Sequence, residues 1–149
     1  MQQGVFVMDD YDAKCKAQEK INWNYLDAFI SELEAKGLSE KTIRNHVSNV
    51  EFYLNTYLLS YDIVPMEKGC SSFEVDRFFD DFFIRKCMWS TPATIKSTAA
   101  SLKKFYKCMW NHEHIPEAAY KELTDTVKEN IDEWIEDCED FNDISDLHW

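Results

Sequence analysis

The chain has very little with which to turn. Three glycines and three prolines are spread over 149 residues, whereas hairpins and sheet edges draw heavily on both residue types. A sheet-rich fold is therefore disfavoured at the outset, and the apolar residues agree, recurring at spacings of three and four as amphipathic helices require. Hydrophobic residues make up 45% of the chain and aromatics 15%. That is enough apolar surface to offset the entropy of ordering, which excludes wholesale disorder. The length suits one domain with a real core, or a compact domain with an appendage.

Five helices are expected. The first runs from about Asn22 to Lys36, with Trp23, Leu26, Phe29, Ile30 and Leu33 on one side and Gly37 as its stop. Residues 1–20 are polar and weakly patterned, and are expected to form an N-terminal arm or a short extra helix. The second starts after Ser39, a good N-cap, and reaches about Tyr61 on a stripe of Ile43, Val47, Val50, Leu54, Tyr57 or Leu58, and Tyr61. Ser71 to Glu74 spell a capping box for a third helix carrying Val75, Phe78, Phe79 and Phe82, an aromatic stripe best read as core. Thr91-Pro92 opens the fourth, which extends to about Trp110 on a seam of Ile95, Ala99, Leu102, Tyr106 and Met109. Pro116 opens the fifth, with Tyr120, Leu123, Val127, Ile131, Trp134 and Cys138 on one side and carboxylates filling the rest.

A net charge of −12 argues, taken alone, against nucleic acid, because phosphate is repelled by an acidic surface. The distribution is more informative than the sum. Residues 117–149 hold twelve acids against Lys121 and Lys128, while residues 1–116 hold sixteen acids against fourteen bases. From Phe82 to His112 there is no acid at all, but Arg85, Lys86, Lys96, Lys103, Lys104 and Lys107 are present. At about 100° per residue Lys96, Lys103 and Lys107 fall on nearly one line of the fourth helix, with Lys104 about 80° away. On the second helix Lys41, Arg44, Ser48 and Asn55 are expected opposite the apolar stripe.

The segments LSEKTIRNHVSNVEFYLNTYLL and STPATIKSTAASLKKFYKCMWNHEHIP, preceded by one helix and separated by a short third, resemble the N-terminal core-binding domain of tyrosine recombinases, or phage integrases. Ser39, Thr42 and Ile43 match the start of that family's second helix. Thr94, Ile95, Leu102, Phe105, Tyr106 and Ile115 match its fourth and the exit that follows. The similarity covers about residues 21–116 and implies an all-α fold: a four-helix SAM-like core-binding bundle, with an additional C-terminal acidic amphipathic helix in residues 117–149 that the resemblance does not explain. It implies further that the second and fourth helices face duplex DNA. The positions so implied are Lys41, Thr42, Arg44, Ser48, Thr94, Lys96, Ser97, Lys103, Lys104 and Lys107, holding the backbone rather than reading bases.

The expected function is thus a non-catalytic DNA-binding module associated with DNA integration or recombination. No His-x-x-Arg follows any of the four histidines, and Arg44, Arg77 and Arg85 are the only arginines. The arginine-rich pocket that strand transfer needs is missing from these residues. The rival expectation keeps the fold but uses the acidic C-terminal helix to bind a recombinase, another basic protein or a second copy. That helix could also compete with DNA by mimicking its charge.

Other chemistry is poorly supported. Cys108 and His112 lie one helical turn apart with His114 beyond, yet no clear fourth ligand for a closed zinc site is nearby in sequence, so exposed helix-end histidines and no cofactor are expected. The acidic pairs Asp9-Asp10 and Asp80-Asp81 lack a nucleophile or base, and three glycines do not make a phosphate loop. Five scattered cysteines without a CxxC pair suit reduced thiols in the cytoplasm. Neither a signal peptide nor a membrane-spanning run is visible.

Overall fold

The computed structural model describes residues 10–86 and 90–147, and among these there are helices and turns but no strand. In chain order the α-helices are α1 (Asp10–Ala35), α2 (Glu40–Glu51), α3 (Ser72–Arg77), α4 (Phe83–Lys86), α5 (Pro92–Asn111) and α6 (Glu117–Leu147). A π-helical stretch, Phe52–Tyr57, prolongs α2, and another, Phe78–Phe82, joins α3 to α4. A 3-10 turn, Met66–Lys68, lies between these two stretches. The second expected helix is therefore α2 with its π extension, the third is α3 to α4, and the fourth and fifth are α5 and α6.

The helix starts follow from side-chain chemistry. Ser39 Oγ accepts from Thr42 N–H at 3.2 Å and caps α2. Thr91 and Thr94 form a full reciprocal capping box ahead of Pro92 on α5. The box expected at Ser71 is only half made. Ser71 accepts from Glu74 N–H, but the Glu74 carboxylate accepts instead from the Tyr57 hydroxyl at 2.9 Å. Gly37, at φ +80°, ends α1. Leu38 N–H reaches Leu33 O and Gly37 N–H reaches Glu34 O, the paired bonds of a Schellman turn.

Three expectations are corrected. Of the arm and the short helix expected for residues 1–20, residues 10–20 take the helical form, but as part of the first helix, because α1 begins at Asp10 rather than near Asn22. The Tyr11 hydroxyl and the Cys15 thiol both bond to Leu59 O, tying the first turns of α1 to the end of the π extension. Residues 1–9 of the expected arm lie outside the described residues. The inward line of α1 is Asn22, Leu26, Phe29 and Leu33; Trp23 is 100° off that line and 40% exposed. Asn22 is tolerated inside because its amide donates to Asn55 Oδ1 at 2.8 Å. The stripe of the second helix stops short of Tyr61. The Leu58 N–H closes the π turn on Tyr53 O, the helix ends, and Tyr61 is left exposed beneath the Arg77 guanidinium at 4.4 Å.

One core serves every long helix. Phe29, Tyr53, Phe78, Phe79, Phe105, Tyr106 and Trp134 are all fully buried. Residues 117–147 are not an appendage, since Leu123, Val127, Trp134 and Cys138 belong to this core. Trp134 stacks on Phe79 at 4.7 Å and donates its indole N–H to Asp76 at 2.8 Å. The apolar seam of α6 is thereby consumed against α3 and α5. Gly69 is one point where the backbone must pass close. A Cβ there would collide with the Tyr106 hydroxyl and sit 3.0 Å from Leu58 and 3.1 Å from Tyr53.

Candidate nucleic-acid interface

Burial decides which way the α5 lysines point. Ile95, Ala99, Leu102, Phe105, Tyr106 and Met109 are at most 1% exposed, so the opposite side carrying Lys96, Lys103 and Lys107 faces solvent. That side forms the floor of a groove of about 810 Å³ whose walls are the C-terminal end of α1 and the middle of α6. Leu33, Leu38, Ala100, Val127 and Ile131 supply its apolar surface, and Lys36, Lys103, Lys104, Lys107 and Lys128 supply its charge. Glu32 is the single carboxylate lining it, and Lys36 holds that group at 3.5 Å. Lys107 lies 5.7 Å and 5.8 Å from the stacked rings of Trp110 and Tyr120 at one end. Among the described residues, no carboxylate forms an ion pair with Lys96, Lys103, Lys104 or Lys107.

The second helix joins this surface only in part. It packs antiparallel to α5 along a polar seam: His46 Nδ1 meets Ser101 Oγ at 2.8 Å, and Asn49 donates to Ser101 at 3.0 Å and to Ser97 at 3.3 Å. Burial and then the nearby Lys104 charge both lower the His46 pKa. Lys41 is exposed in the first turn of α2. Arg44, however, is engaged by Glu40 at 2.8 Å. With Ser48 it lines a different groove, of about 610 Å³, against Ile30 and Glu34 of α1. The reason is angular. His46 and Asn49 take the side that meets α5, which rotates Arg44 and Ser48 towards α1.

The hydroxyls are otherwise occupied. Thr42 Oγ1 accepts from Ser39 at 2.9 Å. Thr94 Oγ1 accepts from Thr91 N–H at 2.8 Å and bonds to Thr91 O at 3.0 Å. Ser97 accepts from Asn49. Of the ten positions that the resemblance implied, Lys103, Lys104 and Lys107 share the groove, Lys96 continues the same side of α5, and Lys41 stands at the α2 end. Arg44, Ser48, Thr42, Thr94 and Ser97 have local partners or another groove. Lys36 and Lys128 were missed because they come from α1 and α6. No spacing within one helix signals a convergence of three.

Acids collect on the other flank of α6. Glu122 accepts from Ser72 N–H at 2.7 Å, and Thr126 meets Ser72 Oγ at 2.8 Å. Asp80 faces Asp137, Asp76 and Glu133 there. Burial first, then the hydrogen bond shared with the Asp137 carboxylate and the surrounding negative charge, raise the Asp80 pKa to about 7. Asp80 Oδ1 has no donor of its own, as expected where carboxyl groups face each other and one proton joins them. On α6, Lys128 thus lines the groove beside α5 while Glu122, Glu133 and Asp137 lie on the α3 flank. Among the described residues no helix is long and apolar enough to cross a membrane.

No family model, no curated protein and no solved structure matches this chain. The two Ser/Thr-x-x-Thr elements that carried much of the family resemblance, Ser39 to Thr42 and Thr91 to Thr94, are accounted for by helix capping alone.

Proposed function

We propose that this protein is a module that holds duplex DNA by its phosphate backbone and does no chemistry on it. In this reading α1 to α5 form a bundle of the SAM-like core-binding type, and the protein acts in DNA integration or recombination beside a separate catalytic unit. The observation that carries the proposal is the row of unpaired lysines on α5, on a chain whose net charge is −12. From Lys96 to Lys107 the helix rises about 16 Å, which matches about five successive phosphates of one strand along the duplex axis. The groove is concave and the DNA backbone is a ridge, so lysines on floor and walls can meet it together. Contacts of this kind give affinity and register, without a base preference.

The test is binding of a labelled duplex by the full chain and by a K96E/K103E/K104E variant. The side chains are exposed, so folding is preserved and circular dichroism verifies it. Loss of binding is expected. Undiminished binding by the folded variant removes this face from consideration. A second reading, docking of a basic protein, is favoured by the carboxylates on the α3 flank of α6. It predicts that E129Q/E133Q/E136Q weakens capture of a basic partner and leaves DNA binding unchanged or stronger.

A further inference from the structure

The sequence places Cys108 and His112 one turn apart with His114 beyond, but offers no clear fourth ligand close by. The fold supplies one from α1. Glu32, Cys108 and His112 converge so that one ligand atom from each lies within 4.8 Å of the others. We infer that these three residues bind a divalent cation of the zinc class at the junction of the C-terminal ends of α1 and α5.

The donor set is the first argument. A thiol, an imidazole and a carboxylate are the three side chains that zinc selects, and three protein ligands with one exchangeable position is a common arrangement. Geometry is the second. With Zn–S about 2.3 Å and Zn–N about 2.0–2.1 Å, a tetrahedral angle puts sulfur and nitrogen about 3.6 Å apart. Cys108 Sγ and His112 Nδ1 are 3.6 Å apart. The third argument is environment. The Glu32 carboxylate is only 19% exposed although it is ionisable, and it sits against a fully buried thiol. His112 is exposed and leaves an approach from solvent.

The same three groups have a consistent arrangement without metal. Burial and then Glu32 hold the Cys108 thiol protonated, with a pKa pushed up to about 12, and one His112 tautomer donates from Nδ1 to Cys108 O at 2.8 Å. Binding then requires a defined exchange of protons. The thiol proton is released to solvent as the metal–sulfur bond forms. The ring proton of His112 sits on the outward Nε2 in the bound form, which frees the Nδ1 lone pair. One proton leaves per ion bound, and no oxidant or reductant is involved.

The experiment uses the full chain, kept reduced and stripped of metal, titrated with cobalt(II) and then zinc(II). The expected result is saturation at one equivalent, with a thiolate-to-cobalt charge-transfer band that zinc displaces. C108S should abolish the band. H112A and E32Q should each weaken binding by more than about tenfold, because even the loss of a group that only orients a ligand costs about 10–100-fold. Zinc should also raise the unfolding temperature of the wild type but not of H112A. Cys108 is buried, so a C108S protein that fails to fold leaves the decision to H112A, whose site is exposed. Absence of saturable binding by the wild type, or full affinity in folded H112A, overturns the assignment.

Discussion

If phosphate contacts come from the unpaired bases, the salt dependence of binding should count them. Six on this face qualify: Lys96, Lys103, Lys104 and Lys107 on α5, Lys41 in the first turn of α2, and Lys128 in the groove wall. Each neutralised phosphate contributes about −0.9 to the slope of log K against log salt, which gives a slope of about −5.4. Between about 50 and 200 mM salt the affinity should then fall roughly 1,800-fold. Replacing Lys103, Lys104 and Lys107 by Gln leaves three contacts, a slope of about −2.7 and a fall of only about 40-fold over the same range. Gln keeps the reach and polarity of the side chain and adds no repulsion, so the slope reports counterion release alone. R44Q should change the slope much less than any one of these lysines, since Glu40 already neutralises Arg44. Fluorescence anisotropy with a short labelled duplex at several salt concentrations measures all of these slopes. An unchanged slope in the triple variant refutes the assignment of the α5 face, and a wild-type slope near zero refutes backbone binding altogether.

The fold makes four further predictions. G69A should destabilise by about 1–3 kcal/mol, at the upper end, because its methyl displaces the Tyr106 hydroxyl that donates to Met66 O and crowds the Tyr53 ring whose hydroxyl donates to Gly69 O; a urea midpoint equal to wild type contradicts this packing. Trp134→Ala should cost about 3–5 kcal/mol, losing the stack on Phe79 and the bond to Asp76, and a chain ending at residue 116 should fail to fold cooperatively when followed by circular dichroism. Asp80 binds its proton in the folded state up to about pH 7 but in the unfolded state only below about pH 4, so its contribution to stability is fully present below about pH 4 and is lost progressively as pH rises from there through 7. D80N, which keeps the neutral form, should match wild type near pH 4 and exceed it at pH 8; melting curves that run parallel across that range would exclude the shared proton.

Much of the fold was legible because it rests on local rules. The caps at Ser39 and Thr91, the stop at Gly37 and the buried seam of α5 each follow from residues within one or two turns of each other. What was not legible depends on partners distant in sequence. The first turns of α1 look polar and unpatterned until Leu59 supplies a carbonyl for Tyr11 and Cys15. Asn22 reads as a helix-start residue until Asn55 satisfies it inside. The π turns matter similarly, since one extra residue per turn changes which side chains reach the core, and spacing by three and four then overruns to Tyr61.

The same distinction governs the site. Helical periodicity predicts that Lys96, Lys103 and Lys107 share a side of α5, and they do so because burial of the opposite seam leaves them no alternative. Periodicity cannot say what stands on either side of that row. Here Lys36 arrives from α1 and Lys128 from the most acidic segment of the chain. A basic residue in such a segment would ordinarily be read as a solvated charge amid carboxylates. In the folded chain Glu122, Glu133 and Asp137 of α6 lie towards α3, where burial and these neighbouring acids raise the Asp80 pKa to about 7, and Lys128 lies in the groove wall beside α5. The convergence of Lys36, the α5 lysines and Lys128 on one groove, with Glu32 as its single carboxylate, is the physical reason that an anionic protein has a cationic groove. Reversing Lys128 to Glu would place a carboxylate in the groove wall without touching α5, and should weaken duplex binding as the α5 substitutions do. Equal binding by K128E would show that phosphate meets α5 outside the groove, along the Lys96 end of the helix alone.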